Sequence, residues 1–342
     1  MPVKILCELD PVFETMGLLL VSHNSEAVKE EMMKALSELG VDGEQFYSQH
    51  LKIYDKYVKA FTKNRVECKE DELFFNEKDS SYCLILMSLI TENRSWLTSP
   101  ESLTDDKINS QIIHIIKTVL DNDMNTEFPD TLEGIIQLLD RSELETTAKW
   151  KMLRIMRQPT KHIAQLVNTV NSNTEAFRKA VEEVGKPLEK LLIQYNEVVR
   201  NNGDKEFHEL MNKFAQSATI YPSLIFPASQ FLFDKSCYYG LLSNKVKNRR
   251  TRLDSNKALL IKLKALSDSS KLEIISSLKA SPKYNLEIAQ QLGLTAATMS
   301  HHMNFLLNCG FVRIEKKDGK VYYHLEKENL KDLIKELEET LL

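Results

Sequence analysis

Thr295, Ala297, Ser300, His301 and Asn304 are the residues whose types and spacing most clearly suggest chemistry. On a helix of 3.6-residue period Ala297, Ser300, His301 and Asn304 gather on one side, with Thr295 at the helix start, while Met299, Met303 and Leu306 fall on the other at i, i+4, i+7, flanked by Phe305 and Thr298. A small, polar face without carboxylates can be laid against nucleic-acid base edges, which offer both donors and acceptors. His302 lies about 100° round the helix from His301, where it packs between helices or reaches a phosphate. A few residues on, Arg313, Lys316, Lys317 and Lys320 surround Asp318-Gly319. Basic side chains at a hairpin tip suit contact with phosphate or an adjacent minor groove.

The elements that would position these groups are legible around them. Thr295 can cap a helix over 296–308, and Gly310 can stop it. A shorter helix, Leu286–Leu292 (LEIAQQL), precedes it and is joined through Gly293, whose missing Cβ suits a sharp turn between crossed helices. Phe311–Leu325 (FVRIEKKDGKVYYHL) has two β-rich arms around Asp-Gly, a strong short-range hairpin signal. Helix, turn, helix and basic hairpin together predict a winged helix-turn-helix.

From about Leu263 to Leu325 the sequence resembles the DNA-binding module of the ArsR-like family of bacterial repressors. The resemblance rests on the LKALSD…KLEII opening, the IAQQLGL step, the Ser-His-His core at Ser300–His302 and the Gly310-Phe311-Val312 lead into the hairpin. It implies a transcriptional regulator, a repressor, that binds double-stranded DNA at an inverted repeat as a homodimer. In that family the terminal helices of the module pair two protomers. Lys257–Leu266 and Glu328–Leu342 each carry an apolar stripe suited to this, or to packing within one chain.

The 342 residues are long for one domain and comfortable for two. The net charge of −4 is unevenly spread. Residues 243–325 hold 15 Lys/Arg against 6 Asp/Glu, whereas 1–242 hold 27 against 37. An acidic body with a basic segment fits phosphate binding by one end only. The five cysteines are scattered, with no CxxC, as expected of reduced thiols in a cytoplasmic protein. Met1–Asp10 reads as no targeting signal, and Met16–Val21 and Tyr82–Ile90 are too short to span a bilayer.

The expected architecture is therefore mainly α: a helical domain over 1–245 with a few short strands, then the winged module over 246–342. Val3–Leu9 alternates as a strand that Pro11 ends. Val12–Ser22, Glu26–Leu39 and Gln45–Phe61 have helical spacing, and Ser81–Thr91 reads as an apolar helix rather than a buried strand, the alternative for so apolar a run. Apolar residues nearly all round Asp106–Leu120 predict a deeply buried helix. Thr174–Arg200 is one long helix or a pair kinked at Pro187. Lys205–Gln216 is amphipathic. Ala218–Leu242 is aromatic, with two prolines, and reads as extended segments packed on the helices and able to pair with the N-terminal strand. Ser243–Asp254 is a basic connector or the start of a connecting helix. Some larger ArsR-like regulators have an N-terminal effector-type domain marked by an acidic-Pro-hydrophobic start and a Pro-Ser…Pro stretch. Leu9–Glu14 and Tyr221–Pro227 resemble those landmarks.

Other chemistries find little support. The ten glycines do not cluster as a phosphate-cradling loop requires, His208-Glu209 lacks a second histidine four residues on, and no serine sits in a G-x-S-x-G turn. The expectation is no catalytic residue, no cofactor and no metal at the family's usual positions, since Leu286–Leu292 has no cysteine or histidine and Glu326–Leu342 no histidine. The N-terminal domain is left with sensing a small molecule or with dimerisation. The alternative is an enzyme domain fused to a regulatory DNA-binding module. The aromatic run Tyr221–Tyr239 is the candidate wall of a small-molecule pocket.

Overall fold

Asp10 and Pro11 start the helix on which the larger body is built, in a computed structural model. It describes residues 4–76, 80–99, 103–119, 132–142, 144–201, 203–204, 207–208, 211, 218–233, 235–251, 255–292, 299, 302–303, 305–307, 309–317 and 320–342. The Asp10 carboxylate accepts the Val12 amide at 3.1 Å, and Pro11 occupies the first helical position, where no donor is needed. Helix α1 (Pro11–His23) then buries every residue from Phe13 to Val21. A helix apolar all round must be surrounded. Helices α2 (Ser25–Glu38), α3 (Gly43–His50), α4 (Lys52–Asn64), α5 (Asp71–Phe74) and α6 (Ser80–Glu92) follow. After them come α7 (Asp105–Val119), α8 (Leu132–Arg141), α9 (Thr146–Arg157), α10 (Pro159–Ser172), α11 (Thr174–Glu183) and α12 (Gly185–Arg200).

Two expectations are revised here. Helix α7 is not buried all round: Ile108, Ile112 and Ile116 face the core, while Lys107, Ser110 and His114 are exposed. Ile108, Ile112 and Ile116 recur every four residues, with buried Ile115 beside them, which makes one stripe rather than a full coat. The chain over 174–200 does break in two, but at Val184, not Pro187. Pro187 falls in the first turn of α12, whose amides lack intrahelical partners anyway. The amphipathic stretch 205–216 lies largely outside the described residues.

The aromatic run forms strands β2 (Thr219–Ser223), β3 (Gln230–Leu232) and β4 (Ser236–Gly240). With β1 (Lys4–Ile5) they make one sheet of order β1-β2-β4-β3, with β1 and β4 parallel to β2 and β3 antiparallel to β4. The expected pairing with the N-terminal strand is present, at Lys4↔Thr219 and Ile5↔Ile220. The two sequence landmarks meet. Glu14, fully buried on α1, accepts hydrogen bonds from Ser223 Oγ (2.8 Å), the Leu224 and Ile225 amides (3.0 and 3.1 Å) and Tyr57 Oη (2.9 Å). It thus pins the turn after β2 to the central helix. Phe13 stacks on Tyr238 of β4 with centroids 3.5 Å apart.

Buried residues fall into two clusters. One runs from Leu9 to Val246. The other runs from Leu259 to Leu333. Helix α13 (Ser243–Thr251) stands between them, with Val246 in the first cluster and Lys247 paired to Asp204 at 2.6 Å. Packing of the first body therefore extends just past residue 245. Between α1, α2, α6 and the turn over 226–231 lies a cavity of about 240 Å³. Phe226 and Phe231 of the aromatic run line it, whereas Tyr238 and Tyr239 are core residues.

Candidate nucleic-acid interface

The second body begins with α14 (Ser255–Leu266) and α15 (Ser269–Ala280). Asp268 caps α15 by accepting the Lys271 amide at 3.0 Å. That amide, with the Lys271 ammonium and His302 adding to it, holds the Asp268 carboxyl below the usual carboxylate range. Strand β5 (Lys283–Tyr284) leads into α16 (Asn285–Leu292), the shorter helix expected from LEIAQQL. Ser277 Oγ and Lys283 Nζ both donate to Gln291 Oε1, at 2.8 and 2.7 Å, tying α16 to α15.

Described residues of the following segment are helical at 299, 302–303 and 305–307. Met299, Met303 and Leu306 are fully buried in the second core, as their spacing predicts. Gly310 has φ +72, and around it the Phe311 amide donates to Leu306 O (3.0 Å) and the Gly310 amide to Leu307 O (2.9 Å). This is the double hydrogen bond of a helix ended by a left-handed residue. Asn329 Nδ2 also donates to Gly310 O at 2.6 Å.

The basic hairpin forms from β6 (Val312–Lys317) and β7 (Lys320–Leu325). Val312 pairs with Leu325, Ile314 with Tyr323, Lys316 with Val321 and Lys317 with Lys320. Strand β5 adds a third strand through Lys283↔Tyr323 and Tyr284↔Tyr322. Sequence reasoning missed it, since two residues after Pro282 carry no alternation. Helix α17 (Lys327–Leu341) closes the body, burying Leu333 against it.

Of the ten residues singled out, Thr295, Ala297, Ser300, His301 and Asn304 lie outside the described residues. For Lys316, Lys317 and Lys320 the backbone is described and the side chains are not. His302 is only 8% exposed and packs inside the module near Asp268. Arg313 is exposed at the base of the hairpin, but its Nε pairs with Glu326 at 2.7 Å and a terminal nitrogen with Glu315 at 3.2 Å. His324 also meets Glu315 at 3.0 Å, and burial, then Arg313, keeps its pKa below the ordinary value. Glu315 is two residues from Arg313 on the same strand, whereas Glu326 follows the partner strand β7 and is brought to Arg313 by the pairing of Arg313 with His324.

Two helices, a further helical segment and a strand pair that folds back as a wing define a winged helix-turn-helix, a DNA-binding class. The chain belongs to the arsR family of bacterial regulatory proteins, whose model matches residues 268–313. It is 35% identical to the arsenical resistance operon repressor of Staphylococcus aureus over 83 residues, 24% of this chain and 80% of that protein. It is 33% identical to a cadmium resistance transcriptional regulatory protein CadC homolog of Staphylococcus aureus over 72 residues, 21% of this chain and 60% of that protein. No solved structure matches. The protein is thus an ArsR-family DNA-binding regulator.

Proposed function

We propose that the chain is a repressor that binds an inverted repeat as a homodimer and is controlled by a small molecule held in its N-terminal body. The observation that carries the DNA-binding geometry is the burial of Met299, Met303 and Leu306. Helical spacing then leaves Ala297, Ser300, His301 and Asn304 on the outer side, toward the major groove, with Thr295 at the helix's first turn. Arg313, Lys316, Lys317 and Lys320 supply phosphate or minor-groove contacts. His302 supports this surface from inside.

Homodimerisation is supported by the end helices. Leu259 and Leu333 are buried within the module, while Leu260, Ile334 and Leu341 stay exposed on α14 and α17, and Lys262 joins the two helices through Glu336 at 2.7 Å. A second copy laid on that apolar strip would set two recognition helices about 34 Å apart, one duplex turn. Sensing is supported by the cavity of the first body. Glu31 and Cys83 are the titratable groups among its described lining residues, which favours binding over catalysis.

The test uses a duplex selected by the protein from random sequences. Lys317→Ala lowers affinity for all sequences alike and reduces the salt slope by about one. His301→Ala or Asn304→Ala instead changes base preference, at roughly 1–3 kcal/mol per lost contact. Selective binding that survives deletion of residues 256–342 would sink this reading.

A further inference from the structure

The cavity of the first body is built from side chains of one lipophilic type, and its wall is tied to the start of α13. Leu20, Met32, Leu36, Met87, Phe226 and Phe231 are among the residues that line it. Leu20, Leu36 and Met87 are buried at its floor, and Ala35 and Glu31 are exposed at its rim. No Lys, Arg or His is among its described lining residues. An apolar cavity of about 150 Å³ takes benzene, so about 240 Å³ admits a larger ring system. Two thioethers beside two phenyl rings favour an aromatic ligand. An anion would lose its hydration, meet the Glu31 carboxylate and gain no cation.

The wall opposite α2 is the turn Phe226–Ser229, and its carbonyls hold the chain that leaves the body. Pro227 O accepts the Leu242 amide at 2.6 Å. Ser229 O accepts the Gly240 amide at 2.8 Å and Ser243 Oγ at 3.5 Å. Ser243 is the first residue of α13, and Leu242 O receives the Val246 amide of its first turn at 3.1 Å. The approach is close enough to require glycine at 240, where a Cβ would stand 2.5 Å from Phe226 O and Pro227 O. The wall and the start of α13 are therefore held to each other.

We propose that this cavity binds an uncharged aromatic lipophile somewhat larger than benzene, and that occupancy, acting through the 226–229 wall on α13, weakens operator binding. This rests on the regulator reading above and adds the ligand class, the site and the route. The coupling is a difference in ligand affinity between two wall positions, one of which favours the DNA-bound arrangement.

The experiment uses the full chain, 1-aminoanthracene as fluorescent probe, and a fluorescein-labelled duplex selected by the protein. Expected are saturable probe binding and a fall in duplex affinity of at least about fivefold at saturation. Ala35→Trp, which closes the rim from the surface of α2, and Leu84→Trp, which fills the wall, each weaken probe binding by at least about tenfold and remove the effect on DNA. Anthracene-2-carboxylate, the same rings with a negative charge, binds at least about tenfold more weakly than the probe. Gly240→Ala changes the probe's effect on DNA, because it displaces the wall. The proposal is overturned by absent saturable binding, by binding that both tryptophan variants leave intact, or by equal binding of the carboxylate. Binding with duplex affinity unchanged overturns it too. So does a rim variant that halves the molecular mass, which would make the cavity an interface between copies. Each of these leaves selective DNA binding without probe in place. Loss of that binding, rather than of its response, would instead strike the regulator reading.

Discussion

Glu14 has no aqueous contact and no cation beside it among the described residues; its partners are two hydroxyls and two backbone amides. Burial pushes its carboxyl from 4.5 up to about 7, although Ser223, Tyr57, Leu224 and Ile225 all donate to it. Between those pH values the folded chain holds a proton that the unfolded chain has released. The resulting stabilisation is complete below about 4.5 and is lost as pH rises through about 7, on the order of 3 kcal/mol in all. Trp96 and Trp150, the only tryptophans of the sequence, both lie in the first body, so fluorescence-monitored urea unfolding reports on that body. Wild type is expected to be more stable at pH 5 than at pH 7.5, and Glu14→Gln to lose most of that difference. An undiminished pH slope in the variant would place the titration elsewhere. Gly310 makes the complementary point: a position with φ +72 next to Asn329 is closed to other residues without strain, whatever they would pack against.

At the scale of elements, the hairpin and the end helices do different work. The hairpin's register puts apolar Val312, Ile314, Tyr323 and Leu325 together and leaves Lys317 facing Lys320, so its stability comes from the base and its charge from the tip. The end helices bury one side and expose Leu260, Ile334 and Leu341, with Ile334 at 58%. If that strip pairs two copies, Ile334→Glu removes about 1.5–3 kcal/mol of burial per side chain. The expected result is a dimer that dissociates at higher protein concentration in sedimentation, with the helical circular dichroism unchanged. An unaltered dimer would move pairing to the first body.

Across the whole molecule, two buried clusters divide the work, and the cysteines sit mostly in the body that has no family match. The similar Staphylococcus aureus proteins are named for arsenical and cadmium resistance. In this chain α16 has no cysteine, Cys237 is buried with its thiol pushed up to about 12, and burial raises the Cys68 thiol as well. A thiol held in its protonated form is a poor ligand, since metals bind thiolate. Zinc, cadmium or arsenite at low micromolar concentration is expected to leave the protein on its selected duplex in a gel shift. Release would locate a sensor among Cys68, Cys83 and Cys237, testable one cysteine-to-serine change at a time.

Local signals determined much of this protein without tertiary information. The Asp-Pro start of α1, the left-handed glycine at 310, the Met299/Met303/Leu306 stripe and the alternating hairpin each depend on neighbours a few residues away, and each is visible in the sequence. The same holds for the family resemblance, because its motifs lie within some sixty consecutive residues. Tertiary structure decided what depends on long separations. Asp10 and Tyr238, 228 residues apart, share a hydrogen bond, and Glu14 reaches 211 residues to Ile225. Aromatic content over 221–239 could not separate core from cavity wall, since Phe13 of α1 meets Phe226, Phe231 and Tyr238 alike and the distinction rests on each ring's other neighbours: Tyr238 is fully buried, whereas Phe226 and Phe231 border the space beside α2 and α6. Strand β5 has no pattern of its own and exists because β7 offers an edge.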